Sequence, residues 1–402
     1  MKNLRIVVSS PYREGSIVNI ATAAERLGML EFFYTTLYTP NLAKHVEVLP
    51  VIGSLLKTEL GRRAFKGIPA ERVKGFAGLE ELVRIAAYRG ATNLFDFPAA
   101  FMYWVKDRFD EAAARDLRSR QVDAVVGMWG SCSRTFAAAG KDCIKVLNMV
   151  NSRPHFHNQY LRDQAGLSDD NAEMISPRVS ALVETEIALA DLILVPSTFA
   201  AKQFEDCPEK VVLARYGVNL SEFSPGEAAA QYRCNVLSLG QISYRKGFTN
   251  LIEAANRLPH RTFSAVGPMV VQKLVKHLPT NMKYSGLVLH GEVSAVMRSA
   301  DIFVLASFED TFALVVVEAM ASGTPVIVSD HAGVAELVTH GVDGFIYPAG
   351  DVDALTNYIE QIAGNPGLRR SMGEAARTKV AASHSWDEYS SQVLQAIHDF
   401  RR

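Results

Sequence analysis

Cysteine is scarce: the 402 residues hold only Cys132, Cys143, Cys207 and Cys234, with no C-x-x-C spacing and no histidine pattern beside them. That argues against a disulfide framework and a structural zinc site, and it reads as reduced, packed thiols in a cytoplasmic protein. No apolar run reaches the length of a membrane span, and the one near the start, in MKNLRIVVSSPYREG, is too short for a signal peptide. Charge of one sign is also missing. With 42 Lys and Arg against 43 Asp and Glu the formal net charge is -1, so nothing pulls the chain generally toward nucleic acid or an anionic surface. What is present is 48% hydrophobic and 21% charged residues, the balance of a soluble globular protein. A length of 402 residues exceeds one ordinary core and suits two domains.

Apolar runs of strand length alternate with helical periodicity along the whole chain. In the first half, residues 4–9, 32–35, 122–128, 144–150, 192–195 and 211–214 read as strands. Helices are expected from a Ser16 cap to about Leu27, over 172–190, and from a Ser197 cap to about Glu205. In the second half, strands at 236–239, 262–266, 282–284 and 302–305 alternate with helices at 248–258, 269–277 and 293–299. Further helices are expected near 334–339 and from about Asp351 onward. Between the halves, YGVNLSEFSPG (Tyr216–Gly226) is rich in Gly, Pro, Ser and Asn and reads as a linker. Such alternation builds parallel sheets covered on both faces, with ligands at the carboxyl ends of the strands. The fold class is therefore α/β, two doubly wound, Rossmann-like domains facing a central cleft. The expected division is residues 1–216 and 217–384, with the last helix, within 385–402, folding back to complete the first domain.

The stretch Asp301–Asp330, DIFVLASFEDTFALVVVEAMASGTPVIVSD, reads as strand, loop, helix, strand. Asp310 or Thr311 is placed to cap the helix, and Gly323 and Pro325 to end it. Glu318 stands out, because a carboxylate in so apolar a helix is costly unless something pairs with it. An anion on the N–H groups of the helix start, with Glu318 further along for ribose hydroxyls, would read a nucleotide sugar. The plainer alternative is a glutamate that snorkels to the surface.

Other signals are weaker alone. The segment Gly240-Gln241-Ile242-Ser243-Tyr244-Arg245-Lys246-Gly247 joins a strand to a helix and offers two glycines and two cations, a diphosphate clamp or a solvated surface loop. It lacks the spacing of a P-loop. Gly15, after the first strand, lets a ligand approach the backbone or simply makes a turn. Asp351-Val352-Asp353 looks like a metal-binding D-x-D, but it opens a helix, and N-capping explains it better. Lys57, Arg62, Arg63, Lys66, Arg72 and Lys74, followed by Phe95, Phe97, Phe101, Tyr103, Trp104 and Phe109, read either as a helical insertion or as a surface for a membrane or an anionic acceptor.

Together these segments resemble glycosyltransferase family 4, of the GT-B fold. The resemblance rests on VLSLGQISYRKG, MKYSGLVLHGEVSAVMRSADIFVLAS, EDTFALVVVEAMASGTPVI and GVAELVTHGVDGF in the second half. In the first half it rests on ETEIALADLILVPSTFAAKQF and ARYGVNLSEFSP. The family has two acidic residues separated by seven others, here Asp310 and Glu318. Glu318 matches the acid that holds the ribose. Asp310 replaces the usual Glu at the sugar contact, and Glu309 is adjacent and able to substitute. Thr311, Phe312, Ala313 and Leu314 match the loop whose N–H groups meet sugar and diphosphate, with Ala313 where the family often has Gly. Lys246 matches the diphosphate lysine. Gln241 stands where the family has Arg, which leaves Arg245 to supply that charge. The family commonly brings a His to the cleft from the region of Asn151–His157; His155 is the first choice and His157 the second.

The resemblance implies an enzyme that moves a sugar, with retention, from a nucleotide-sugar donor such as a UDP- or GDP-sugar. The acceptor would be a glycan, a lipid-linked sugar or a small molecule. It implies no metal and no other cofactor. Peripheral contact with the inner face of a membrane through residues 55–110 is the further expectation. A non-catalytic sugar-nucleotide or glycan binder on the same fold is the alternative.

Overall fold

Seven short strands make the first sheet of the computed structural model, which describes residues 4–38, 65, 67–78, 80–81, 99–225 and 234–401. They are β1 (Ile6–Ser9), β2 (Leu30–Thr35), β3 (Val73–Gly75), β4 (Ala124–Met128), β5 (Ile144–Asn148), β6 (Leu192–Val195) and β7 (Val211–Leu213). All pairs are parallel and the order is β3-β2-β1-β4-β5-β6-β7. The chain winds one way from β1 and the other way from β4, so the switch point lies between those two strands. The helices here are α1 (Gly15–Arg26), α2 (Ala99–Arg118), α3 (Ser133–Ala138), α4 (Pro154–Ala165), α5 (Pro177–Leu189) and α6 (Thr198–Ala201).

The second sheet has six parallel strands: β8 (Asn235–Leu239), β9 (Thr262–Val266), β10 (Met282–Tyr284), β11 (Ile302–Leu305), β12 (Val326–Ser329) and β13 (Gly344–Tyr347). Its order, β10-β9-β8-β11-β12-β13, puts the switch point between β8 and β11. Helices α7 (Phe248–Arg257), α8 (His290–Arg298), α9 (Leu314–Ala321), α10 (Val352–Ala363) and α11 (Pro366–Ser383) belong to this half. Side chains of β11 alternate as a strand requires. Phe303 and Leu305 join the core that is continuous with the first sheet, while Ile302 and Val304 join a separate core with Phe345, Leu355 and Ile359. Both faces are covered, which is why the strand reads as an unbroken apolar run.

The last helix, α12 (Trp386–Phe400), returns across the junction and packs on α1. Tyr389, Val393, Leu394 and Ile397 bury themselves in the first core, and Arg26 pairs with Asp387. In the linker the Val218 amide donates to the His384 carbonyl at 3.0 Å, so the two crossings run side by side.

Several expected elements shift for identifiable reasons. The helix expected at 269–277 is only a short 3-10 turn, Gln272–Val275. Val270 and Val271 both donate to the Ile242 carbonyl at 3.1 Å, and those bonds hold the segment out of helical geometry. The segment 151–157 contains the start of α4, with Pro154 in the first turn, where a proline is tolerated. The helix expected from 172 begins at Pro177, because the residue before a proline avoids helical angles. The segment 334–339 forms the 3-10 turn Gly333–Leu337. Helix α1 is capped by Glu14, whose carboxylate accepts from the Ile17 amide at 3.2 Å, with Ser16 bonded to it.

Of the basic and aromatic region, Lys57, Arg62, Arg63, Lys66, Phe95 and Phe97 lie outside the described residues. Arg72 donates to the Glu31 carbonyl, Lys74 pairs with Asp116 at 2.8 Å and Phe109 is buried, so these three serve the fold. Trp104 is exposed and packs against Phe101. Among the described residues no helix is long and apolar enough to cross a membrane.

Candidate functional site

The loops after β8 and β11 flank the switch point of the second sheet, where ligands of such sheets sit. The first ends at Gly247 with φ of 64°, and a Cβ there would stand 1.8 Å from the Ala306 carbonyl oxygen. Only glycine lets the two loops touch this closely. Their contact brings Lys246 onto Asp310 as an ion pair. Burial, followed by the neighbouring Arg245 charge, pushes the Lys246 ammonium down from its ordinary value, and Asp310 acts against that.

Arg245 lies beside this pair. Its guanidinium donates to the Glu309 carbonyl at 3.1 Å, to the Glu309 carboxylate at 3.3 Å and to the Gln241 side chain at 3.3 Å. Glu309 is 2% exposed and accepts as well from Ser152 at 2.6 Å and bonds His157 at 3.1 Å. Burial alone would raise its carboxyl; the His157 bond and the Arg245 charge outweigh that and bring it to about 2. Both ring nitrogens of His157 face oxygens, since the other meets the Glu173 carbonyl at 3.0 Å. Of the two histidines, the structure therefore places His157 in the cleft. His155 is exposed on the first turn of α4 and packs against Phe156, because the helical turn points the two side chains apart.

Helix α9 starts without a side-chain cap. Ala313 holds φ of 65° and ψ of 76°, a left-handed conformation that L side chains other than Asn and Asp seldom adopt. Asp310 and Thr311 do not cap the helix as expected, because both are engaged elsewhere. Asp310 holds Lys246, while the Thr311 hydroxyl donates to the Val150 carbonyl at 2.8 Å and its carbonyl accepts from Ser197 at 2.6 Å. The first amides of α9 are thus left for a ligand. Leu314 opens the helix, and Phe312 packs its ring edge-on against Tyr216 at 5.3 Å. Glu318, one turn on from Leu314, is half-buried; its carbonyl accepts from the Ser322 hydroxyl at 2.9 Å, while its carboxylate has no hydrogen-bond or ion-pair partner among the described residues. Burial, then the Glu222 charge, raises its carboxyl to about 7.

The first domain closes the cleft. Gly15 is exposed at the start of α1, next to Trp386. Tyr216, buried between the halves, feels both the Glu14 and Asp310 carboxylates, and burial above all pushes its hydroxyl well up. Sequence reading missed Glu173, whose carboxylate accepts from the Tyr244 amide at 2.8 Å and the Arg245 amide at 2.9 Å. It also missed Ser152, Gln203 and Ser197 as contacts across the cleft or behind it. No local pattern marks any of them. Asp351 caps α10 through the Ala354 amide at 2.9 Å, and Asp353 pairs with Arg257, so the D-x-D serves the helix.

Residues 226–379 match the family model described as glycosyl transferases group 1. A D-inositol 3-phosphate glycosyltransferase of Streptomyces scabiei is 29% identical over 275 residues, 59% of this chain and 61% of that protein. A sulfoquinovosyl transferase of Arabidopsis thaliana is 26% identical over 223 residues, 51% of this chain and 44% of that protein. The chain thus spans less than two thirds of the length of either relative. Among solved structures, a sucrose-phosphate synthase from Thermosynechococcus elongatus superposes with a TM-score of 0.71 at 19% identity, covering 99% of both chains. The Anabaena protein HepE in complex with UDP-glucose superposes at 0.66 and 16% identity, covering 99% of this chain and 100% of that one. Two Rossmann-like domains in this arrangement are the GT-B fold.

Proposed function

We propose that the chain is a glycosyltransferase that moves a sugar from a nucleoside-diphosphate sugar to an acceptor hydroxyl, with retention at the anomeric carbon, in glycan, polysaccharide or glycolipid synthesis. The observation that carries this reading is the convergence of Lys246, the uncapped start of α9 and Glu318 at one switch point. The α9 amides and Lys246 suit a diphosphate, and the partnerless Glu318 carboxylate suits the ribose hydroxyls. In this reading Asp310, which pairs with Lys246, contacts the transferred sugar, while Glu309 is engaged by Arg245, His157 and Ser152. The names of the relatives and the UDP-glucose bound in the Anabaena structure support the donor class.

In this reading the bond between the anomeric carbon and the diphosphate breaks, and the electron pair leaves with the phosphate oxygen. Lys246, with Arg245 beside it, neutralises the charge that develops there, so the reading needs no metal. The acceptor hydroxyl, presented by the first domain, forms the new bond on the same face and gives its proton to the departing phosphate. Closure of the cleft excludes water, which would otherwise hydrolyse the donor. A thermal-shift screen of nucleoside diphosphates and their sugars tests the donor assignment. One nucleotide at about a hundred times its Kd should add about 2.7 kcal/mol of stability and raise Tm by several degrees. No shift with any nucleotide contradicts the assignment.

A further inference from the structure

The first sheet has its own switch point, between β1 and β4, and the mechanism above leaves its charged groups unused. At the carboxyl end of β4 the chain continues as Trp129-Gly130-Ser131-Cys132. Against this loop lies Lys106, on α2 and only 8% exposed. Its ammonium stands 5.5 Å from the Tyr103 ring centre and 5.1 Å from that of Trp129. Gly130, at φ of 69°, turns the loop directly beside the ammonium, and a Cβ built there would stand 3.5 Å from the nitrogen, in ordinary contact. No hydrogen-bond acceptor or carboxylate among the described residues holds it. A lysine ammonium has three donors, and two ring faces return only part of what it loses on leaving water.

The nearby carboxylate that could have paired with it is committed elsewhere. Glu186, fully buried, accepts from the Gly130 amide at 2.5 Å and the Cys132 amide at 2.8 Å. It fixes the loop under the lysine without reaching the lysine itself. The loop in turn is tied to the cleft. The Trp129 amide donates to the Asn148 carbonyl at 3.3 Å, and the Asn148 side chain donates to Ser16 in the first turn of α1 at 2.9 Å. Two residues beyond Asn148, the Val150 carbonyl takes the Thr311 hydroxyl of the donor-side loop. Lys106 therefore lies on the rim of the first domain that meets the loops of the second.

We propose that Lys106, between Tyr103 and Trp129, is the anion-reading group of the acceptor site, and that the acceptor carries a phosphate or a carboxylate. This rests on the transferase reading above and adds the acceptor's chemical class to it. Burial brings the Lys106 ammonium down to about 8, with Glu186 and Cys132 acting against that, so it is largely charged near neutral pH.

The test is calorimetric titration of the protein, saturated with UDP or GDP, against matched panels: hexose and inositol phosphates, hexuronates, and their neutral parents. At least one anionic member should bind about tenfold or more tighter than its neutral parent, and Lys106→Met should remove roughly that advantage. Nucleotide affinity should stay within about twofold and Tm should hold or rise, since a buried charge is removed. The phosphate and uronate arms say which anion is read. If Lys106→Met does not fold, Lys106→Gln carries the comparison, and Lys106→Arg should keep part of the preference. No anionic preference in the wild type, or one that survives loss of the lysine, overturns the inference while leaving nucleotide binding, and the transferase reading, intact. A packing lysine gives that second outcome together with a lowered Tm. A lysine-dependent anion preference without any nucleotide binding leaves the anion site standing and overturns its role as an acceptor site.

Discussion

Lys246 faces Asp310 in the free protein, so an arriving diphosphate must share a cation that already has a partner. If the lysine stabilises the leaving group, Lys246→Ala should lower turnover by roughly a hundredfold or more, the scale of losing one such donor. Lys246→Arg should restore only part, because a planar fork does not replace a point charge. Turnover near wild type in Lys246→Ala, with Arg245 intact, would assign the charge to the wrong residue. Glu318 makes a prediction about the free protein. Its carboxyl rises from an ordinary 4.5 to about 7, through burial first and Glu222 second. Between those values the native state keeps a proton that the unfolded chain releases, so stability falls as pH rises through that window and levels off above it. Glu318→Gln should flatten this dependence and stabilise the free protein at pH 8 by on the order of 1–3 kcal/mol. Urea unfolding at pH 5 and pH 8 measures it, and parallel curves for the two proteins would contradict the assignment.

At the scale of elements, the turn into α9 holds the site open, and it does so through a residue in an unfavourable conformation. A left-handed L-residue costs roughly 1–2 kcal/mol, and glycine in its place loses about 0.5–1 kcal/mol of chain entropy. Ala313→Gly should therefore be neutral or mildly stabilising. Ala319→Gly, inside the same helix, should cost about 1 kcal/mol. Chemical denaturation of the two variants checks this, and equal losses would mean that the turn carries no strain. The strands were legible because parallel, doubly covered strands are short continuous apolar runs, and 192–195, 262–266, 282–284 and 302–305 match the observed ones. The segment 269–277 was misleading because its helical pattern competes with backbone bonds to Ile242, which lies far off in sequence. The cap of α9 was misleading for a related reason. Asp310 and Thr311 are good capping residues, but Lys246 and Val150 engage them instead.

At the scale of the molecule, the site is a seam between halves. Ser152, His157, Glu173 and Ser197 from the first domain bond Glu309, Tyr244, Arg245 and Thr311 of the second. Motifs local to the chain singled out Lys246, Asp310 and Glu318, which the fold sets on the loops after β8 and β11 and on α9. They could not show the partners across the cleft, which lie 71 or more positions away along the chain. They also could not choose between His155 and His157, since only the start of α4 at Pro154 decides which ring turns inward. The central claim is that this seam reads a nucleotide, with Glu318 holding its ribose. Calorimetric titration of UDP and GDP into the wild type and Glu318→Gln tests it most directly. The account predicts that the substitution weakens binding by about 1.5–3 kcal/mol, roughly ten- to a hundredfold, as expected for loss of a hydrogen bond to a charged group. Equal nucleotide affinity in the two proteins would contradict it.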